Sequence, residues 1–323
     1  MSLDYYRQLA KILPQTAVVV ATVIKVKGSV PREVGAKMLI YRDDRTEICT
    51  WGTIGGGAGE AKVIRQAKAV LETGEKQTVE IDLSGATHRE TQGICGGLMQ
   101  VLLGRWSGVA AIELVKQILN RLEAGQAATL ITPWTGQSPY LLSPASSDSP
   151  HDATRAFSET LQPPPTLLIV GAGHVGIQLA KVAALVGFRV AIQDDRPAWA
   201  NAQHYPQADL IFNQPIELAV EQLSAHAQLY AALVTRGYQY DLQALTALQQ
   251  RPLPCRYIGM IGSEKRVRQV RQAIEQAGRP IAQPLFAPIG LNIGALTPEE
   301  IAVSITAELI LVRRGGTGQP LSA

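Results

Sequence analysis

The sequence predicts an α/β protein in two parts, a mixed α/β N-terminal domain and a C-terminal doubly wound parallel sheet. Three observations carry this. Beyond residue 166, short apolar runs with no polar face alternate with helix-length segments, the pattern of strands covered on both sides. The first of these runs ends in Gly171-Ala172-Gly173-His174-Val175-Gly176, a turn that opens a helical pattern. A stretch rich in Ser, Pro and Asp, ending in Pro163-Pro164-Pro165, separates this half from the one before it. The expected domains are therefore 1–132 and 166–323, with a linker over 133–165. Typical domains hold about 100 to 200 residues, so a chain of 323 accommodates two.

In the first half, 17–24 is an apolar, β-branched run, Gly28-Ser29-Val30-Pro31 turns the chain, and 36–41 returns as a second strand. A third strand over 47–53 leads into Gly55-Gly56-Gly57. Ala61, Ile64, Ala67 and Leu71 then recur at helical spacing over 58–71, and Gly74 stops that helix. Strands at 78–83 and 98–103, a helix at 110–124 and a strand at 128–132 complete a layered α/β arrangement.

In the second half the strands are expected at 167–170, 189–193, 209–212, 230–235 and 256–260, with a helix at 175–186 directly after the glycine turn. Strand, GxGxxG turn and helix form a Rossmann-type unit. Gly171 permits the tight turn, Gly173 leaves room for a pyrophosphate, and Gly176 lets the helix pack close to the sheet. His174 stands at the start of that helix, whose amides face a phosphate. Asp194 and Asp195 follow the next strand about 20 residues on, where a carboxylate accepts from a ribose hydroxyl.

Composition narrows the function classes. The net charge is +3 with both signs interspersed, which argues against nucleic acid or an anionic membrane as partner. The N-terminus has no charged-then-apolar signal pattern and no apolar run reaches the roughly 20 residues of a bilayer span, so the cytoplasm is expected. Three cysteines, Cys49, Cys95 and Cys255, with no CxxC pair among them, argue against a disulfide framework or a structural zinc site.

Other segments carry candidate chemistry. Ser263-Glu264-Lys265-Arg266 follows a strand through Gly262, so Ser263 and the amides beside it form a second candidate phosphate site, or an ordinary helix cap. Thr297-Pro298-Glu299-Glu300 is a capping box with Pro at the first helical position and is assigned to folding. Gly55, Gly56 and Gly57, and Gly96 and Gly97 beside Cys95, allow close backbone approach to a ligand. A thiol between glycines can handle sulfur or act as a nucleophile, and it can equally be a small buried hydrophobe. Tyr240-Asp241 follows a strand on the edge where open α/β sheets bind ligands.

Taken in order, these segments resemble the XdhC/CoxI family of xanthine dehydrogenase accessory proteins. The resemblance rests on Gly28-Ser29-Val30-Pro31-Arg32 with Gly35-Ala36-Lys37-Met38, on Gly52 to Gly57 with Glu60, and on Cys95-Gly96-Gly97. In the second half it rests on Gly171 to Gly176, Asp194-Asp195-Arg196-Pro197, Tyr257 to Ser263, and Ala287 to Ala295 running into Thr297 to Ala302. It implies a chaperone that binds molybdenum cofactor, protects it during sulfuration and delivers it to a xanthine dehydrogenase-type molybdenum hydroxylase. The implied partners are that apoenzyme and a cysteine desulfurase, and a homodimer is expected. Cys95 becomes the candidate ligand of the cofactor's molybdenum. Many relatives have Thr-His-x-x-x-x-Asp after the fourth Rossmann strand, whereas here Thr235-Arg236 precedes Asp241, so the histidine is absent and the aspartate kept.

Two other functions compete. An NAD(P)-dependent oxidoreductase would hold NAD(P), or FAD, in the Rossmann site and use Asp194 or Asp195 on the ribose. A regulatory sensor would bind a nucleotide without turnover. The five histidines are scattered along the chain, and none pairs convincingly with an arginine for hydride chemistry.

Overall fold

A computed structural model of the chain describes residues 2–83, 96–142, 154–277 and 284–322. They divide into two compact units. The first comprises Met1–Glu123 and Ala127–Leu161, and the second Ala124–Gln126 and Gln162–Ala323.

The first unit is built on a five-stranded antiparallel sheet of β1 (Val18–Lys27), β2 (Lys37–Arg42), β3 (Ile48–Gly52), β4 (Gln77–Asp82) and β5 (Leu98–Trp106), in the order β3-β2-β1-β5-β4. The period of two along β1 explains its unbroken apolar run. Val19, Ala21 and Val23 pack beneath α2 (Gly57–Thr73), while Val18 and Val20 pack beneath α1 (Ser2–Ile12) and α3 (Gly108–Glu123). Over Val18–Val23 the strand is buried on both faces, and only beyond it do Lys25 and Lys27 reach solvent. Helix α1 has no counterpart among the sequence expectations, although Leu3, Tyr6, Leu9, Ile12 and Leu13 are all buried at helical spacing.

The stretch expected as linker contains structure. β8 (Ala156–Leu161) pairs antiparallel with β6 (Ala128–Pro133), with Leu130 opposite Glu159, and β7 (Tyr140–Leu141) pairs on the other side of β6. Glu159 of β8 also receives Lys37 Nζ at 2.5 Å, with the two side chains 11% and 7% exposed. A near-buried ion pair and a strand ladder hold this segment in the first unit, and neither is visible to a composition-based reading.

The second unit is a six-stranded parallel sheet of β9 (Thr166–Val170), β10 (Arg189–Gln193), β11 (Leu210–Phe212), β12 (Leu229–Leu233), β13 (Tyr257–Met260) and β14 (Leu285–Phe286), ordered β11-β10-β9-β12-β13-β14. This is the doubly wound Rossmann order, with the strand reversal beside β9. Leu168 and Val170 pack under α5 (Ile216–Gln222), α6 (Tyr238–Gln249) and α7 (Glu264–Gln276). Leu167 and Ile169 pack under α4 (His174–Leu185) and α8 (Pro298–Arg314). Both faces are covered, as the apolar strand runs predict. Thr297 caps α8 through the full capping box, as expected.

His226 lies within this unit, its Nδ1 3.1 Å from Thr166 Oγ1 and its ring against Gly125, where an added Cβ would come within 2.6 Å. Burial, with Arg189 and Arg251 adding to it, pushes the imidazole down to about 4. A depressed folded-state value means that the unfolded chain takes the proton first. The stability contributed by neutral His226 is therefore whole above about pH 6.5 and is lost as pH falls toward 4. Urea unfolding of the full chain is expected to show about 1 kcal/mol less stability at pH 5.5 than at pH 7.5 from this group. His226→Gln should flatten that dependence. An unchanged pH dependence in the variant would place its source elsewhere.

Candidate functional site

The carboxyl edge of the parallel sheet is shaped by its turns. Gly171 has φ +107°, and a Cβ there would lie 2.7 Å from the Val234 carbonyl oxygen, while one on Gly176 would lie 2.5 Å from the Gly171 oxygen. Both glycines are required by packing. Gly173 differs, because a Cβ on it would meet nothing within 4 Å, leaving open space before the first turn of α4. His174 is exposed at the start of that helix, its ring edge-on to Trp199 at 5.7 Å between centroids.

Asp194 does not present its carboxylate to a ligand. Its Oδ2 accepts from the Ala172 amide at 2.8 Å and from Arg196 Nη2 at 2.8 Å. Its Oδ1 accepts from the Arg196 amide at 3.0 Å and from Nε at 2.8 Å. Burial raises the proton affinity of this carboxyl, but the Arg196 and Ala172 hydrogen bonds outweigh it and hold the group down at about 2. These hydrogen bonds clamp the glycine turn to the end of β10.

Its neighbour is placed differently. Asp195, with its side chain 52% exposed, accepts from Arg236 Nη2 at 2.9 Å, and the Arg236 guanidinium lies 4.1 Å over the ring of Tyr240. These three residues line a cavity of about 410 Å³ with Gly171 and the loops after β10, β11 and β12.

Asp241 is fully buried. It accepts from Thr235 Oγ1 at 2.6 Å and from Arg266 Nε at 2.6 Å, and Arg266 Nη2 also reaches Thr235 Oγ1 at 2.8 Å. Burial pushes this carboxyl above its ordinary value, against the pull of the Thr235 hydroxyl and Arg266. The triad joins the end of β12 to α6 and α7. Ser263 caps α7 by accepting from the Arg266 amide at 3.4 Å, and its partner arginine is turned inward to Asp241. The segment after β14 is held to α8 by the Gly290 amide donating to Glu308 at 2.9 Å and by Ser304 Oγ donating to the Leu291 carbonyl at 2.6 Å, while the Tyr257 hydroxyl of β13 donates to the same Glu308.

In the first unit three glycine segments meet at one end of the antiparallel sheet. A Cβ on Gly97 would lie 2.3 Å from the Ser29 carbonyl oxygen, one on Gly28 would lie 3.2 Å from the Gly96 oxygen, and one on Gly55 would lie 2.4 Å from Pro31. Gly56, Gly57 and Gly96 instead face open space at positive φ. The Glu60 carboxylate accepts from Thr53 Oγ1 at 2.6 Å and from the Ile54 and Gly56 amides at 3.1 Å. The protein's own carboxylate thus takes the Gly56 amide, one of those expected for a ligand. Cys95 lies outside the described residues. Among those described, no group of three His, Cys, Asp or Glu side chains forms a metal site, and no helix is long and apolar enough to cross a membrane.

Sequence reasoning placed Tyr240 at the ligand-binding edge of the sheet, and it missed Glu60 as an internal anion and Arg236 as a cavity wall beside that tyrosine. The i, i+4 spacing of Arg236 and Tyr240 across a helix start was the available signal for the second.

Comparison with known proteins agrees with this arrangement. The XdhC Rossmann domain model matches residues 167–309, and the XdhC and CoxI family model matches residues 13–82. The chain is 28% identical over 329 residues to a Bacillus subtilis protein named as a probable subunit of xanthine dehydrogenase, covering 93% of this chain and 94% of that one. It is 24% identical over 298 residues to the Escherichia coli molybdenum cofactor insertion chaperone PaoD, covering 91% and 83% respectively. A solved structure described as a xanthine dehydrogenase from Bacillus halodurans superposes with a TM-score of 0.73 at 26% identity, covering 99% of this chain and 98% of that one. The two models take in the Gly28 and Gly55 segments of the first unit and the glycine turn, Asp194 and Gly290 of the second, and the chain belongs to the XdhC and CoxI family.

Proposed function

We propose that the protein is an accessory chaperone that binds molybdenum cofactor, supports its sulfuration and assists its insertion into a xanthine dehydrogenase-type molybdenum hydroxylase. The observation that carries this reading is the family match across both units, with PaoD among the relatives. The partners proposed with it are the hydroxylase apoenzyme, a cysteine desulfurase and a second copy of the chain, acting in the cytoplasm.

The residues of the first unit fit such a ligand. The cofactor supplies a dithiolene-bound molybdenum and a phosphate. Gly56, Gly57 and Gly96 offer backbone without side-chain obstruction, and they stand at the same end of the sheet as Gly97, next in sequence to the Cys95-Gly96 pair. Glu60 competes with an incoming anion for the Gly56 amide. In this reading Cys95 is the soft donor toward molybdenum or the sulfur-handling thiol.

Acid oxidation of the purified full chain is expected to release a fluorescent pterin, and Cys95→Ala to reduce the amount. Equal pterin from both proteins would remove Cys95 from the site. Wild-type protein that takes up no pterin, even when the cofactor is supplied, would sink the proposal. The second reading, an NAD(P)-dependent oxidoreductase, draws on the cavity beside the glycine turn. Hydride transfer to a small carbonyl compound without pterin would favour it.

A further inference from the structure

We propose that the cavity at the carboxyl edge of the second unit binds a ribonucleotide 5′-phosphate, and that Asp195, not Asp194, accepts from its ribose 2′-hydroxyl. The cavity, at about 410 Å³, has the size of a small-ligand site and lies at the strand reversal, where open α/β sheets bind nucleotides. Its walls are mixed in the way a nucleoside needs. Ile216 and the Tyr240 ring offer apolar and aromatic surface to a base, while Gln214 stands in the same wall. The Gln214 Nε2 is buried with no hydrogen-bond partner among the described residues.

The assignment between the two aspartates follows from counting donors. Four N–H groups already occupy the Asp194 oxygens, so the carboxylate that the spacing of the motif nominates is spent on the glycine turn. Asp195 lines the cavity and is held by Arg236 through Oδ2 only. Arg236 fixes the rotamer of that carboxylate and leaves Oδ1 for a hydroxyl. The 5′-phosphate of a nucleotide so held lies toward Gly171 and the open space at Gly173. This inference stands apart from the molybdenum proposal, since it uses only the second unit.

The test is calorimetric titration of the full chain with AMP, GMP and CMP and with their 2′-deoxy counterparts, in wild type and in Asp195→Asn. At least one ribonucleotide is expected to bind, with its deoxy counterpart about ten-fold weaker, the effect of losing one hydrogen bond to a charged group. In Asp195→Asn that ten-fold preference should shrink to about two-fold or less. Failure of all three ribonucleotides to bind, equal binding of ribo and deoxy forms by wild type, or a preference that survives in the variant would each overturn the proposal. Pterin content, measured on the same preparations, reports on the chaperone reading separately.

Discussion

Asp241→Ala is expected to destabilise the protein by about 3–4 kcal/mol, the usual consequence of removing one partner from a buried ion pair. Asp241 is fully buried, and its loss leaves the Arg266 guanidinium, whose side chain is 23% exposed, with only Thr235 to receive it. The end of β12, the start of α6 and the first turn of α7 lose their shared anchor together. Asp241→Asn, which keeps the shape and the acceptor toward Thr235, should cost markedly less. Guanidinium unfolding of the full chain measures both. A midpoint unchanged by Asp241→Ala would mean that the carboxylate serves something other than the fold, and would reopen it as a ligand contact.

Asp194→Ala is expected to cost about 2–3 kcal/mol, a little less because Arg196 and Arg236, each 36% exposed, regain water when the carboxylate goes. The Ala172 amide has no such recourse, being buried inside the turn. The sign with pH follows from the depressed folded-state value. The contribution of Asp194 is whole above about pH 4 and is lost only as pH falls toward 2, so in the neutral range it is constant and the loss in the variant should be the same at pH 6 and pH 8. A loss that varies between those two values would assign the effect to another titrating group. Asp195→Asn, one residue on, should leave the unfolding midpoint within about 0.5 kcal/mol of wild type, since its side chain is half exposed and its ion pair is screened.

Much of the second unit is legible in the sequence because its determinants are local. The strand, glycine turn and helix of 166–185 follow from apolar periodicity and from backbone conformations that only glycine takes at Gly171. The capping box at Thr297 is equally local. In the first unit the glycine clusters could be named as important, but not placed against each other. Gly97 touches Ser29 across the sheet end, and no spacing rule connects them. The segment 133–165 has the composition of a linker, yet Ala156–Leu161 becomes a strand, since Leu161 has a core to enter and Glu159 a lysine to meet.

The same division runs through the candidate site. By itself the sequence determined a Rossmann turn followed by two adjacent aspartates at the position where a ribose is read, together with the family to which these segments belong. Which of the two has its oxygens already filled by donors was decided only in three dimensions. Asp194 meets the Ala172 amide 22 residues away, and Asp241 meets Arg266 25 residues away. A carboxylate's role depends on how many donors already fill its lone pairs, and those donors come from segments that only the folded sheet brings together.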